Sequence, residues 1–151
     1  MSPSISVTVA AIVQREGRFL LVEEQTDEGV RINQPAGHLE PGESLAAGAA
    51  REALEETAWH FMPTWLLGVY RWQHPLSGVT YVRFAFGGEV DRHEPQRGLD
   101  EGILRAVWLT PAELKAQSPR HRSPLVQRCV EDCLAGRRFP LDLIVDVRGS
   151  T

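Results

Sequence analysis

Hydrophobic positions change period several times along the chain. From Ile5 to Val13 and from Phe19 to Glu24, apolar and β-branched residues run together. The polar connector between them, Gln14-Arg15-Glu16-Gly17-Arg18, carries a glycine suited to a hairpin turn. A glycine- and proline-punctuated stretch, Asn33 to Gly42, reads as irregular backbone. Ser44 to Thr57 is rich in alanine, leucine and glutamate and predicts a helix, with Ser44 as N-cap and Pro41 and Gly42 breaking any helix before it. Leu66 to Gln73 and Val79 to Val90 predict two strands joined by His-Pro-Leu-Ser-Gly, and Ile103 to Leu109 predicts another. Pro111 to Gln117 starts a further helix, with Thr110 as cap and proline at its first position. Ser123 to Leu134 is the last long helix, closed by Gly136. No internal repeat or low-complexity segment interrupts this order.

The chain has 151 residues, enough for one domain spanning 1–151 and short for two independent cores. With 42% hydrophobic and 24% charged residues, its composition is that of a globular protein rather than a disordered or membrane-spanning one. The apolar run Val7 to Val13 follows no basic residue and contains Thr8, so it reads as a strand and not as a signal peptide. Cys129 and Cys133, four apart in a predicted helix, fit core packing better than a disulfide. A cytoplasmic location is expected.

Charge adds more than composition does. The formal net charge is -4, without the basic excess of a nucleic-acid binder. Between Gly37 and Trp59 there are five acids, Glu40, Glu43, Glu52, Glu55 and Glu56, against the single base Arg51, while the rest of the chain balances. One short segment carries the whole net charge. At 100° per residue, Glu52, Glu55 and Glu56 fall within an arc of about 100° on the helix. Like charges at these spacings repel by a few tenths of a kcal/mol per pair, which a cation relieves. Oxygen-only ligands select a hard ion, Mg²⁺ or Mn²⁺. Taken alone, such a cluster also fits a solvated helix face.

The spacing across loop and helix decides between these readings. Gly37, five residues, Glu43, seven residues, Arg51-Glu52, two residues, Glu55-Glu56 resembles the signature of the Nudix hydrolases, here spanning residues 37–59. Six fixed positions match by chance about once in 10⁷ registers at ordinary residue frequencies. The pattern departs at Ala58, where the signature has glycine: either alanine adopts a left-handed conformation at a cost of about 1 kcal/mol, or the helix runs on. The stretches Gln34 to Glu40, Arg122 to Val126 and Gly136 to Leu141 also resemble the NudJ-type phosphatase subgroup.

This resemblance implies an α/β fold, an α/β/α sandwich with a central mixed β-sheet. It implies hydrolysis of a diphosphate linkage, with Mg²⁺, or Mn²⁺ in its place, held by Glu52, Glu55, Glu56 and the Gly37 carbonyl. Arg51 and Glu43 orient the neighbouring carboxylates. The general base is Glu55 or an acid of the segment Asp100-Glu101, with Glu101 among the candidates. Gln34 and Arg83 are candidate phosphate contacts, and Trp72, with Tyr70, Tyr81 and Phe84, is a candidate for stacking a ring. The implied substrates are small-molecule diphosphates: nucleoside tri- or diphosphates, hydroxymethylpyrimidine diphosphate or thiamine diphosphate, with release of phosphate. Alternatives are ADP-ribose or oxidised dGTP, or a nucleotide-binding module without activity. No nucleic-acid polymer or membrane partner is expected, and monomer and homodimer both stay open.

Overall fold

A computed structural model describes residues 4–148. The strands are β1 (Ile5–Arg15), β2 (Arg18–Thr26), β3 (Gly29–Asn33), β4 (Ala36–His38), β5 (Trp59–Gln73), β6 (Thr80–His93) and β7 (Ile103–Leu109). The helices are α1 (Leu45–Thr57), α2 (Pro111–Ala116) and α3 (Leu125–Leu134). Short 3-10 turns occur at Ser118–Arg120 and Leu141–Leu143.

β1 organises the sheet, whose path is β3-β2-β1-β6-β5, with β4 added to β1 and β7 to β2. Its residues Ile5 to Val13 pair in parallel with β6, from Ile5↔Thr80 to Val13↔Gly88, and Thr8 to Ala10 also pair antiparallel with β4. β2 meets β1 only next to the hairpin, at Gln14↔Phe19 and Arg15↔Arg18, and then diverges to pair with β3 and β7. Glu16 and Gly17 both have positive φ, 51° and 76°, as a two-residue hairpin turn matched to strand twist requires.

The unbroken apolar run of β1 follows from its burial on both faces. Ala10 and Ile12 face a core with Leu67, Ala85, Leu114, Val126 and Cys129, beneath α2 and α3. Val9, Ala11 and Val13 face the other way, onto Ala49 and Ala53 of α1 with Phe61, Leu66 and Phe86. The result is the expected helix–sheet–helix layering around a mixed sheet.

The structure corrects several boundaries. The stretch from Asn33 to Gly42 contains the strand β4, and β3 precedes it; a three-residue strand whose only apolar members are Ala36 and Gly37 has no periodicity to read. β5 begins at Trp59 rather than Leu66, because three register shifts between His60 and Gly68 scramble its alternation. α3 starts at Leu125, with Pro124 at its N-cap.

Close β5–β6 approach makes two glycines obligatory. A Cβ on Gly88 would lie 2.0 Å from the Met62 carbonyl oxygen, and one on Gly87 would lie 2.1 Å from the Trp65 indole nitrogen. Gly88→Ala therefore costs about 1–3 kcal/mol, roughly 2–4 °C of Tm per kcal/mol at this chain length. Gly98→Ala, where nothing lies within 4 Å, leaves the melting temperature unchanged. Equal melting temperatures for the two variants would contradict the β5–β6 packing.

Candidate active site

The site grows out of the way α1 starts, packs and stops. Gly42, at φ 83°, turns the chain, and the Ser44 hydroxyl accepts the Ala47 N–H at 3.1 Å to cap the first turn. The buried stripe of α1 contains Ala49, Glu52, Ala53 and Glu56. Helical period thus carries two carboxylates in with the two alanines that press on the sheet. The helix stops at Thr57, and Ala58 takes the left-handed conformation, φ 63° and ψ 16°. Of the two alternatives open at Ala58, the left-handed alanine is the one the chain adopts. Alanine is held there by its N–H on the Leu54 carbonyl at 3.0 Å, by its carbonyl accepting the Glu94 N–H at 2.8 Å, and by burial of its methyl group.

Arg51 ties the acids together. Its Nε and Nη2 donate to both oxygens of Glu43, at 2.9 and 2.7 Å. Nη1 donates to Glu52 Oε1 at 2.6 Å and Glu55 Oε1 at 2.9 Å, and Nη2 reaches the His38 carbonyl at 3.1 Å. These bonds, led by that to Glu43, raise the Arg51 pKa above its ordinary value and keep Glu43 below its own. The Glu43 carboxylate also receives the Glu40 N–H at 2.9 Å.

The remaining acids are under-compensated. Burial pushes Glu52 up, against the opposing hydrogen bond from Arg51. Glu56, 8% exposed, receives only the Ala36 N–H among the described residues, at 3.0 Å, and burial pushes it up to about 9. Asp100 arrives from the β6–β7 loop, docked by its N–H on the Glu55 carbonyl at 3.0 Å; burial and then Glu55 raise its pKa. Ligand oxygens of Glu52, Glu55 and Asp100 all lie within 4.8 Å of one another. Three anionic oxygens at this separation suit a hard divalent cation in both charge and donor type.

Gly37 abuts this cluster from the sheet side. A Cβ there would fall 2.4 Å from the Glu52 carboxyl, so only glycine lets the backbone of β4 meet that carboxylate. The other side of β4 opens on a cavity of about 240 Å³ lined by Thr8, Asn33, Gly37, His38, Trp72, Tyr81 and Arg83 among others.

The structure brings Gly37, Glu43, Arg51, Glu52 and Glu55 together, while Glu56 lies beside them with its carboxyl on the Ala36 N–H and outside the three acids whose oxygens converge. Of the loop pair, Asp100 joins the cluster; Glu101 is exposed and forms no side-chain hydrogen bond among the described residues. Gln34 does not face the cavity. It is 2% exposed, its Nε2 donates to the Val126 carbonyl at 2.8 Å and its Oε1 accepts from Arg83, so it acts inside the fold and not on a phosphate. Trp72, Tyr81 and Arg83 line the cavity. Tyr70 instead donates to Asp132 at 2.7 Å, and Phe84 packs on the α1 side. Thr8 and Asn33 carried no signal in the sequence, since only strand register brings them to the cavity wall.

Comparison with known proteins agrees with this geometry. The family model of the NUDIX domain matches residues 3–129. Proteins named Phosphatase NudJ from Escherichia coli strain K12 and from Shigella flexneri are 38% identical over 140 residues, 93% of this chain and 90% of theirs. A solved NUDIX hydrolase from Nitrosomonas europaea superposes with a TM-score of 0.93 at 47% identity, covering 99% of this chain and 100% of that one. The MutT protein of Methanosarcina mazei Go1, at 20% identity and a TM-score of 0.73 over 91% of this chain and 99% of its own, shares the fold.

Glu56 gives the site a pH signature. Its folded pKa of about 9 lies above an ordinary value near 4.5, so the metal-free folded state binds the extra proton and loses stability as pH rises from about 4.5 to about 9. Glu56→Gln keeps the acceptor for the Ala36 N–H and removes the titration. In chelator it melts above the parent at about pH 8, and the gap closes towards pH 5. A gap of the same size at both values would contradict the assignment.

Proposed function

The chain belongs to the Nudix hydrolase family, and from that membership we propose that it is a Mg²⁺-dependent phosphatase of nucleoside tri- and diphosphates and of small pyrimidine diphosphates such as hydroxymethylpyrimidine diphosphate and thiamine diphosphate. As a Nudix hydrolase it is an enzyme acting on small-molecule diphosphates; the finer substrate assignment is supported by its 38% identity to Phosphatase NudJ over 93% of the chain. The observation that carries it is the carboxylate trio Glu52, Glu55 and Asp100 on one side of β4 and a small cavity on the other. No helix of the described residues is long and apolar enough to cross a membrane.

In this reading Glu52, Glu55 and Asp100 would hold the cation, with Mn²⁺ as a substitute, while Glu56 turns its carboxyl to the Ala36 N–H and the Gly37 backbone abuts Glu52. The bound ion supplies charge neutralisation at the phosphates and an acidified water. Arg51 and Glu43 fix where the carboxylates point, as groups around metal ligands commonly do. Glu55 takes the water's proton: it is the least buried of the three helix acids, and Arg51 engages only its Oε1. Asp100, and not the exposed Glu101, stands as the loop acid that assists.

Assaying nucleotides and pyrimidine diphosphates with Mg²⁺, with phosphate and pyrophosphate resolved, tests the proposal. Phosphate is the expected product, and Glu55→Gln lowers kcat by about 10²-fold or more. Pyrophosphate as the main product from triphosphates would overturn the phosphatase reading, and undiminished turnover by Glu55→Gln would overturn its role.

A further inference from the structure

Arg83 lies in the middle of β6 and is 4% exposed, and the groups that accept its hydrogen bonds among the described residues are neutral. Nη1 donates to Gln34 Oε1 at 2.8 Å and to Cys129 Sγ at 3.7 Å, and Nη2 donates to Asn33 Oδ1 at 2.9 Å. None of its hydrogen bonds goes to a carboxylate. Nε has no partner among the described residues, and Nη2 has used one of its two hydrogens. A buried guanidinium with a spare donor and no carboxylate among its hydrogen-bond partners is costly, and it lines the cavity.

The partners are themselves locked. Gln34 is fixed by the Val126 carbonyl on α3, and Asn33 Oδ1 also receives the Gln34 N–H at 2.9 Å. Gln34 is thus a positioning residue for Arg83. Nη1 is committed, which closes the end-on fork, and Nε is buried out of reach of a ligand, which closes the side-on fork of Nε and Nη2, so the guanidinium cannot grip a phosphate as a two-pronged clamp. What remains suits one acceptor atom approaching along the sheet face.

That face carries a ring-shaped wall. Tyr81 is two residues before Arg83 on the same side of β6, and its register partner across β5 is Trp72. The two rings stack with centroids 5.8 Å apart and planes 22° from parallel, and both line the cavity with Arg83.

We infer that Arg83 is a specificity-determining residue that donates to a carbonyl oxygen or ring nitrogen of a heteroaromatic ring lying against Trp72 and Tyr81, and not to the phosphates. The inference rests on the cavity being the substrate site of the reading above.

Binding separates it from catalysis. The probes are the four common nucleoside monophosphates and ribose 5-phosphate, which has the sugar and phosphate without a ring, titrated calorimetrically with Mg²⁺ present. The parent binds at least one nucleotide about tenfold or more tighter than ribose 5-phosphate, the order expected for one charge-assisted hydrogen bond. Arg83→Met erases that preference and leaves the affinity for ribose 5-phosphate unchanged. Arg83→Lys, which keeps a buried cation and guards against a failure of Arg83→Met to fold, erases it too, because an ammonium does not reproduce the planar donor array. Three results overturn the inference: no nucleotide preferred by the parent, a preference that survives in the folded variants, or a parallel loss for ribose 5-phosphate. Failure of the phosphatase reading shows up separately, as absent Mg²⁺-dependent phosphate release by the parent.

Discussion

Everything at the site depends on burying carboxylates where the fold offers one arginine to hold them. The helix α1 uses the same stripe for packing and for chemistry: Ala49 and Ala53 dock it on β1 while Glu52 and Glu56 enter beside them. Arg51 engages Glu43, Glu52 and Glu55 at once and reaches the His38 carbonyl at the end of β4. One guanidinium therefore joins the loop, the helix and the sheet edge. Among the described residues it makes no hydrogen bond to Glu56, nor to the Asp100 brought in from the β6–β7 loop, and burial drives both away from their charged forms. The net charge of -4 is the visible trace of this arrangement.

Close backbone approach is the second constraint. Gly37 lets β4 touch the Glu52 carboxylate, Gly48 leaves room for Glu43 at 2.9 Å from where its Cβ would be, and Ala58 accepts a left-handed backbone so that β5 can start at once. β4 is thin enough to have the carboxylates on one side and the cavity on the other. Its pairing with the buried strand β1, through Thr8↔His38 and Val9↔Gly37, keeps that partition rigid.

Much of this was legible in the residues. The hairpin turn at Glu16-Gly17, the helix capped by Ser44, the strand Ile103–Leu109 and the capped start of α2 at Thr110 follow from local chemistry, and the sequence motif identified the acids that Arg51 gathers. What escaped depended on distance along the chain. β4 has too few side chains to show a period, and β5 hides seven residues of strand behind its bulges. Gln34 reads as a phosphate contact because it precedes the motif, yet its bonds run to Val126 and Arg83, 92 and 49 residues away. Asp100 and Glu101 are indistinguishable by position; the Asp100 N–H on the Glu55 carbonyl separates them.

The backbone at Gly37 fixes where the Glu52 carboxylate lies, and with it the position a cation would take. Gly37→Ala puts a methyl group where that carboxylate lies, and the end of a glutamate side chain can swing aside without unfolding the protein. Calorimetric titration with Mn²⁺, alongside thermal melting in chelator, tests this most directly. The Gly37→Ala protein is expected to melt close to the parent and to bind Mn²⁺ about tenfold or more weakly. Parental Mn²⁺ affinity in a folded Gly37→Ala protein would contradict it.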